Sequence, residues 1–263
     1  MNIVVLLKQV PDTESVIELS DSGDGINTED VKWVINPYDE YSLEEALLIK
    51  ESREDVKVTV LTAGDSESDR SIRTAYALGV DGGVRIDTSA IPELDSLGTA
   101  TILAAALKME GCDLVLAGQR AVDDDNYQVP AMVAEELGFP LLAGVSKQEI
   151  ADDVISCHQV IDGGSARVES NLPAVLTTQK GINEPRYPNM RAIMKARKRL
   201  VTVISLADIG LDADNFQADT SLVRIVSLVY APERKPGRIV EGATAAAKAA
   251  ELVNLLRDEK GVI

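Results

Sequence analysis

At 263 residues, with 45% hydrophobic but only 3% aromatic content, the chain can bury a sizeable core made of Val, Ile, Leu and Ala, which suits stacked sheet and helix better than an aromatic-rich sandwich. Its 43 acidic residues against 26 basic ones give a formal net charge of -17, which repels phosphate backbones and anionic membrane surfaces and argues against broad nucleic-acid binding. The N-terminal MNIVVLLKQV carries no long apolar core or cleavage site, and no stretch nears the roughly 20 apolar residues of a membrane span, so a cytoplasmic protein is expected.

In chain order, the first half alternates β-branched runs with helical patterns, the mark of βα units feeding a parallel sheet. Ile3 to Leu7, Val56 to Leu61 and Leu114 to Ala117 read as buried strands. Residues 12–30 hold seven acids, two glycines and no Lys or Arg, and read as an exposed excursion. Ser42 with Glu45 three residues on makes a capping box, which predicts a helix starting there through Leu43, Ala46 and Leu47. A second helix carries Ile72, Ala75 and Tyr76 and stops near Gly79; a third carries Leu97, Ala100, Thr101 and Ala104; a fourth carries Val129, Met132, Val133 and Leu137 and ends at Gly138 and Pro140. Asp162-Gly163-Gly164 joins Ile155–Ile161 to Ala166–Ser170 as a hairpin, followed by a strand at Ala174 to Thr178. Val201 to Leu206 suits a further strand and Ala243 to Leu256 a helix, with Arg234 to Gly237 as a connector. The division expected is a nucleotide-binding α/β domain over 1–205 and, over 206–263, an arm lying on another polypeptide.

Open α/β sheets bind ligands outside the carboxyl ends of their strands. Three segments fall there: the loop carrying Lys8, Asn36-Pro37-Tyr38-Asp39 before a helix, and Ala117-Gly118-Gln119-Arg120-Ala121 after the strand ending near Ala117. They suit one nucleotide crevice, although Asn36 and Gly118 equally suit plain turns. Asp123-Asp124-Asp125, with Asn126, Tyr127 and Gln128, precedes a helix start where each acid gains about 0.3–1 kcal/mol. Three carboxylates raise a metal site or ribose contacts, but no His or Glu stands at ligand spacing, and no metal is expected. The single histidine, His158, falls in a strand; no GxSxG, Walker A or GxGxxG pattern is present, and Cys112 and Cys157 read as ordinary reduced thiols. A binding subunit is expected rather than an enzyme.

Lys180 to Arg199 reverses the sign of the chain, with seven basic residues and one acid, Glu184. Such a reversal suits an electrostatically steered docking surface, with Met190 as an apolar anchor. The plainer account is a solvated basic helix end.

LKQVPDT at 7–13, INPYDEYSLEEAL at 35–47, GQRAVDDDNYQ at 118–128 and NEPRYPNMRAIMKARK at 183–198 together resemble the β subunit of electron-transfer flavoproteins over nearly the whole chain. The resemblance implies a flavodoxin-like, adenine-nucleotide-α-hydrolase-like, doubly wound and mostly parallel sheet, pairing as a heterodimer with an α subunit that holds the redox FAD. It implies AMP in this chain, at Lys8, Asn36, Ala63, Gly64, Gly118 and the loop Asp123, Asp124, Asp125, Asn126, Tyr127, Gln128 and Val129. It also implies a recognition loop at 183–198 that docks acyl-CoA-type dehydrogenases, as in fatty acid oxidation, through Arg186, Met190, Lys195 and Arg197, with Met190 where a leucine is usual. Some members carry a second FAD in place of AMP and take electrons from NADH; they resemble DGDTAQVGP where this chain has DDDNYQVPA. Asp124 for glycine and Tyr127 for a small residue point to the AMP type, while Pro130 for glycine removes an N–H donor near the expected phosphate. A stand-alone adenine-nucleotide sensor is the alternative of another class.

Overall fold

The computed structural model describes residues 1–263 apart from 22, 24, 92–93, 213–215, 217–221, 224, 235 and 263. Two compact units emerge, Met1–Ser227 and Leu228–Ile263.

The first unit is built on a nine-stranded sheet. Its strands are β1 (Asn2–Leu6), β4 (Lys57–Gly64), β5 (Gly82–Asp87), β6 (Leu114–Gly118), β7 (Leu141–Ala151), β8 (Val154–Ile161), β9 (Gly164–Asn171), β10 (Ala174–Thr178) and β11 (Thr202–Ile204); a separate pair, β2 (Gln9–Pro11) and β3 (Trp33–Ile35), lies outside it. The order is β11-β5-β4-β1-β6-β10-β7-β8-β9, parallel from β11 to β7 and antiparallel over the last two pairs. The chain leaves β1 for β4 and β5 on one side and returns to β6 on the other, so the direction of winding reverses between β1 and β6.

The alternation of strand side chains feeds two cores, one on each face. Ile3, Val5, Leu114, Leu116 and Leu176 point to one, with Leu43 and Leu47 of α1 (Pro37–Ser52) and Ile72 and Ala75 of α2 (Asp69–Leu78). Val4, Leu6, Val115, Ala117 and Val175 point to the other, with Ile102 and Leu103 of α3 (Ser96–Glu110) and Val133 of α4 (Val129–Leu137). The sheet is therefore covered on both faces, the expected α/β architecture. Leu206 and Phe216 are also buried in the second core.

The helix expected at Ser42 begins five residues earlier. Proline at N1 supplies a preset φ and lacks a donor that the first turn leaves unpaired anyway, and α1 starts at Pro37. The Ser42 and Glu45 side chains serve tertiary bonds instead: Ser42 Oγ lies 2.7 Å from Thr178 Oγ1, and Glu45 accepts from Gln148 and Asn183. Capping-box residues inside a helix are free to bond laterally, and here they do. The hairpin closes at Asp162-Gly163, with Ile161 opposite Gly164. α5 (Met190–Ala196) lies within the basic segment.

The second unit holds α6 (Ala245–Leu255), capped by the Thr244 hydroxyl, which accepts from the Ala247 N–H. No described residue of this unit is buried. No described helix is long and apolar enough to cross a membrane.

Candidate functional site: a crevice at the reversal point of the sheet

The reversal between β1 and β6 opens the sheet at its carboxyl edge, and one side chain ties the opening together. Asp39, in the first turn of α1, is buried, with 5% exposure. Its Oδ2 accepts from the Lys8 N–H at 2.7 Å, at the end of β1; its Oδ1 accepts from the Gly118 N–H at 3.0 Å, at the end of β6, and from Asn36 Nδ2 at 2.9 Å. Burial pushes this carboxyl up to about 7 against the pull of those three donors. Gly118 has no alternative: a Cβ there would stand 2.3 Å from Asp39 Oδ1 and 2.7 Å from Tyr38 Cβ. Asn36 completes the join by donating to the Arg120 carbonyl at 2.9 Å and accepting from the Val122 N–H at 3.2 Å.

Above this seam lies the acidic loop. Lys8 Nζ reaches Asp123 Oδ1 and Asp124 Oδ2, both at 2.9 Å, spanning from the first strand to the loop after β6. Burial lowers the Lys8 ammonium's proton affinity, but its bonds to the two carboxylates outweigh that and hold it above its ordinary value. Arg120 Nη1 donates to Asp125 at 2.8 Å and Nη2 to the Tyr38 hydroxyl at 2.8 Å, and its guanidinium lies 5.0 Å from the Tyr38 ring and 5.5 Å from that of Tyr127. Asp125 and Tyr127 sit at φ of 55° and 61°, a left-handed conformation that is rare for a ring-bearing residue and has to be held by its surroundings. Asn126 bonds Ser96 Oγ at 2.8 Å, fastening the loop to α3.

The loop then enters α4. Gln128 makes no capping bond with its side chain, and among the described residues no side-chain acceptor meets the first-turn N–H groups of Val129 and Ala131, while Pro130 has no N–H to offer. An uncapped helix start beside Lys8 and Arg120 suits a phosphate, received with one backbone donor fewer than a glycine at 130 would give. Ala63 and Gly64 close β4, the neighbour of β1; the Gly64 carbonyl accepts from Arg85 Nη1 at 3.2 Å and from the Thr88 N–H.

The sites expected for docking lie elsewhere. Arg186 binds Glu44 and Glu51 on α1, and both carboxylates raise its affinity for the proton. Met190 opens α5 and is exposed, as are Lys195 and Arg197. His158 is exposed on β8, paired across the sheet with Lys147 and Arg167. Cys112 and Cys157 are free thiols, each pushed up to about 11, chiefly by burial. Sequence reasoning placed Asp39 and Arg120 in the crevice segments but gave neither a role of its own; for Asp39 the available signal was an acid at the third position of a helix that starts at the proline of Asn36-Pro37.

The family profile described as "Electron transfer flavoprotein domain" matches residues 25–209. The chain belongs to that family. Curated relatives named "Electron transfer flavoprotein subunit beta" place it on the β-subunit branch: the protein of Bacillus subtilis is 34% identical over 264 residues, covering 100% of both chains. That of Mycobacterium tuberculosis is 38% identical over 242 residues, covering 90% of each, and that of Methylophilus methylotrophus 35% over 265 residues, covering 99% of this chain and 100% of its own. The matched span of the family profile includes Asn36, Asp39, the loop after β6 and the whole of the basic segment, and ends where β11 has just closed the sheet.

Proposed function

We propose that this chain is the nucleotide-binding subunit of a two-subunit, cytoplasmic electron-transfer flavoprotein. It carries AMP in the crevice between β1 and β6 and, with its α-subunit partner, surrounds the FAD that accepts electrons from acyl-CoA-type dehydrogenases and hands them to a further acceptor. FAD supplies the redox chemistry; the residues of this chain bind, orient and dock. The observation that carries the reading is the crevice itself: Asp39 fixes the ends of β1 and β6, and Lys8 and Arg120, each held by carboxylates of the acidic loop, supply hydrogen-bond donors above them beside the loop that enters α4. Tyr127, its ring 5.5 Å from the Arg120 guanidinium, stands where the flavin-binding members resemble a small residue, and that bulk favours the mononucleotide.

Nucleotide released from the denatured heterodimer should contain about one AMP and one FAD per pair, by the one-crevice reading of the sheet. Two FAD and no AMP would establish the alternative in which this chain takes electrons from NADH. A chain purified alone with AMP, unable to pair, would favour a stand-alone sensor.

Docking falls to the 183–198 segment. In this reading Arg186, held by Glu44 and Glu51, positions the loop from behind, while Met190 enters the dehydrogenase and Lys195 and Arg197 guide its approach. Met190→Ala should weaken that encounter by about 1–3 kcal/mol, whereas charge reversal at Lys195 or Arg197 should slow association in a salt-dependent way. Stopped-flow reduction of the heterodimer separates the two effects; unchanged affinity and rate for Met190→Ala rule out the assignment.

A further inference from the structure

We infer that the acidic loop after β6 sets the charge of the nucleotide the crevice accepts: Asp123, Asp124 and Asp125 occupy the cations that further phosphates would need, so the site takes a nucleoside monophosphate and turns away the di- and triphosphate. The inference rests on the nucleotide-binding reading above and adds the selectivity of that site. It also reverses the part expected of the three aspartates, which act as rivals of a phosphate rather than as its contacts.

The cations at the carboxyl edge of the sheet are already matched. Lys8 Nζ is divided between Asp123 and Asp124, and Arg120 Nη1 goes to Asp125. Arg85, near the end of β5, is taken by Asp69 at 2.9 Å, with Asp87 3.5 Å away. Lys8 and Arg120 bring two positive charges and the three aspartates three negative ones, which leaves this group one negative charge in excess. A site built for several phosphates does the reverse and keeps its cations for the ligand. The field of the whole chain, at a net charge of -17, adds to the repulsion.

The carboxylates are held where they stand. The Asp124 N–H donates to Asp123 Oδ1 at 3.0 Å, and Asn126 Nδ2 donates both to Asp124 Oδ2 at 3.2 Å and to Ser96 Oγ at 2.8 Å, so the residue that grips Asp124 is itself fastened to α3. Arg120 is pinned as well, through the Tyr38 hydroxyl and the Tyr38 and Tyr127 rings. Freeing either cation for a second phosphate means breaking these bonds. A single phosphate seated on the uncapped N–H groups at the start of α4 leaves them in place. Each phosphate beyond the first brings its charge beside fixed carboxylates, and the pairs are only partly exposed, so solvent screens that repulsion without removing it.

The test titrates the heterodimer, freed of bound nucleotide, with AMP, ADP and ATP in a calorimeter, with a chelator present so that no divalent cation masks the phosphates. Wild type should bind ADP about 5- to 20-fold more weakly than AMP, and ATP more weakly still, as expected for like charges brought within a Debye length of one another. The Asp123→Asn/Asp124→Asn double variant keeps the shape and hydrogen-bonding oxygens of both side chains and drops two charges; it should bind all three more tightly and narrow the gap between AMP and ATP. Asp125→Asn, acting through Arg120 alone, should shift the gap in the same direction and decides the matter if the double variant melts lower than wild type. Equal affinity of wild type for the three nucleotides would overturn the selectivity and leave the nucleotide reading standing. Loss of AMP affinity in Asp125→Asn, or in the double variant at an unchanged melting temperature, would do the same by making the aspartates contacts of the ligand. No binding of any of the three to wild type or variants would refute the nucleotide reading itself.

Discussion

Asp39→Ala is expected to destabilise the first unit by about 2–4 kcal/mol, because it strands buried donors that cost roughly 1–3 kcal/mol each when left without an acceptor. The donors concerned are the Lys8 and Gly118 N–H groups and Asn36 Nδ2, and they belong to three separate elements. The loss should therefore appear as a lower melting temperature and, on the nucleotide-binding function proposed above, as a lower AMP content of the purified heterodimer. Asp39→Asn tests the charge separately. Since burial lifts the folded-state carboxyl to about 7, above its unfolded value of 3.8, the folded chain holds this proton more tightly. The group's contribution to stability is then fully present below about pH 4 and is lost as pH rises through about 7, a slope that Asp39→Asn should abolish. Denaturant titrations at several pH values would show it; parallel curves for wild type and Asp39→Asn would mean that the carboxyl does not titrate there.

Removal of residues 228–263 is the second large effect expected. This unit has no buried residue among those described, and it exposes Val229, Ile239 and Leu252. A stretch of this length cannot bury enough of its own apolar surface to be independently stable, and such surface calls for a partner. We propose the α subunit as that partner. The shortened chain should keep its melting temperature within a few degrees, since the two cores of the first unit are untouched, yet fail to co-purify with the α subunit. Retained pairing would place the principal contact on the first unit instead.

Much of the fold was legible because it rests on local periodicity. The strands β1, β4 and β6 with their helices, the Gly79 and Gly138 helix stops and the Asp162-Gly163 hairpin follow from spacing and turn chemistry, whereas β5 (Gly82–Asp87), opened by two glycines, was not anticipated. Ser42 and Glu45 misled because a capping box is only a pattern until the backbone N–H groups it would satisfy are known, and Pro37 had already supplied a start. β7 was not anticipated: Gly144, at φ 61°, interrupts its alternation, and the pairing to β10 shifts register there. The crevice residues were legible as loop segments at strand ends. The roles of Asp39 and Arg186 were not, since each depends on groups brought from 31 and 142 residues away.

The place of β10 governs the order in which the sheet can be completed. β7, β8 and β9 follow one another in the chain and pair as neighbours, so they can form a meander by themselves, yet they join the main sheet only through β10, which is made after all three. β10 must slip between β6 and β7, with hydrogen bonds on both sides. During synthesis the half-sheet ending at β6 therefore presents an open edge until residue 178 has emerged. That insertion pairs Ala174 with Leu114 across a long stretch of chain, and while the stretch is being made the unpaired edge of β6 is open to misassociation.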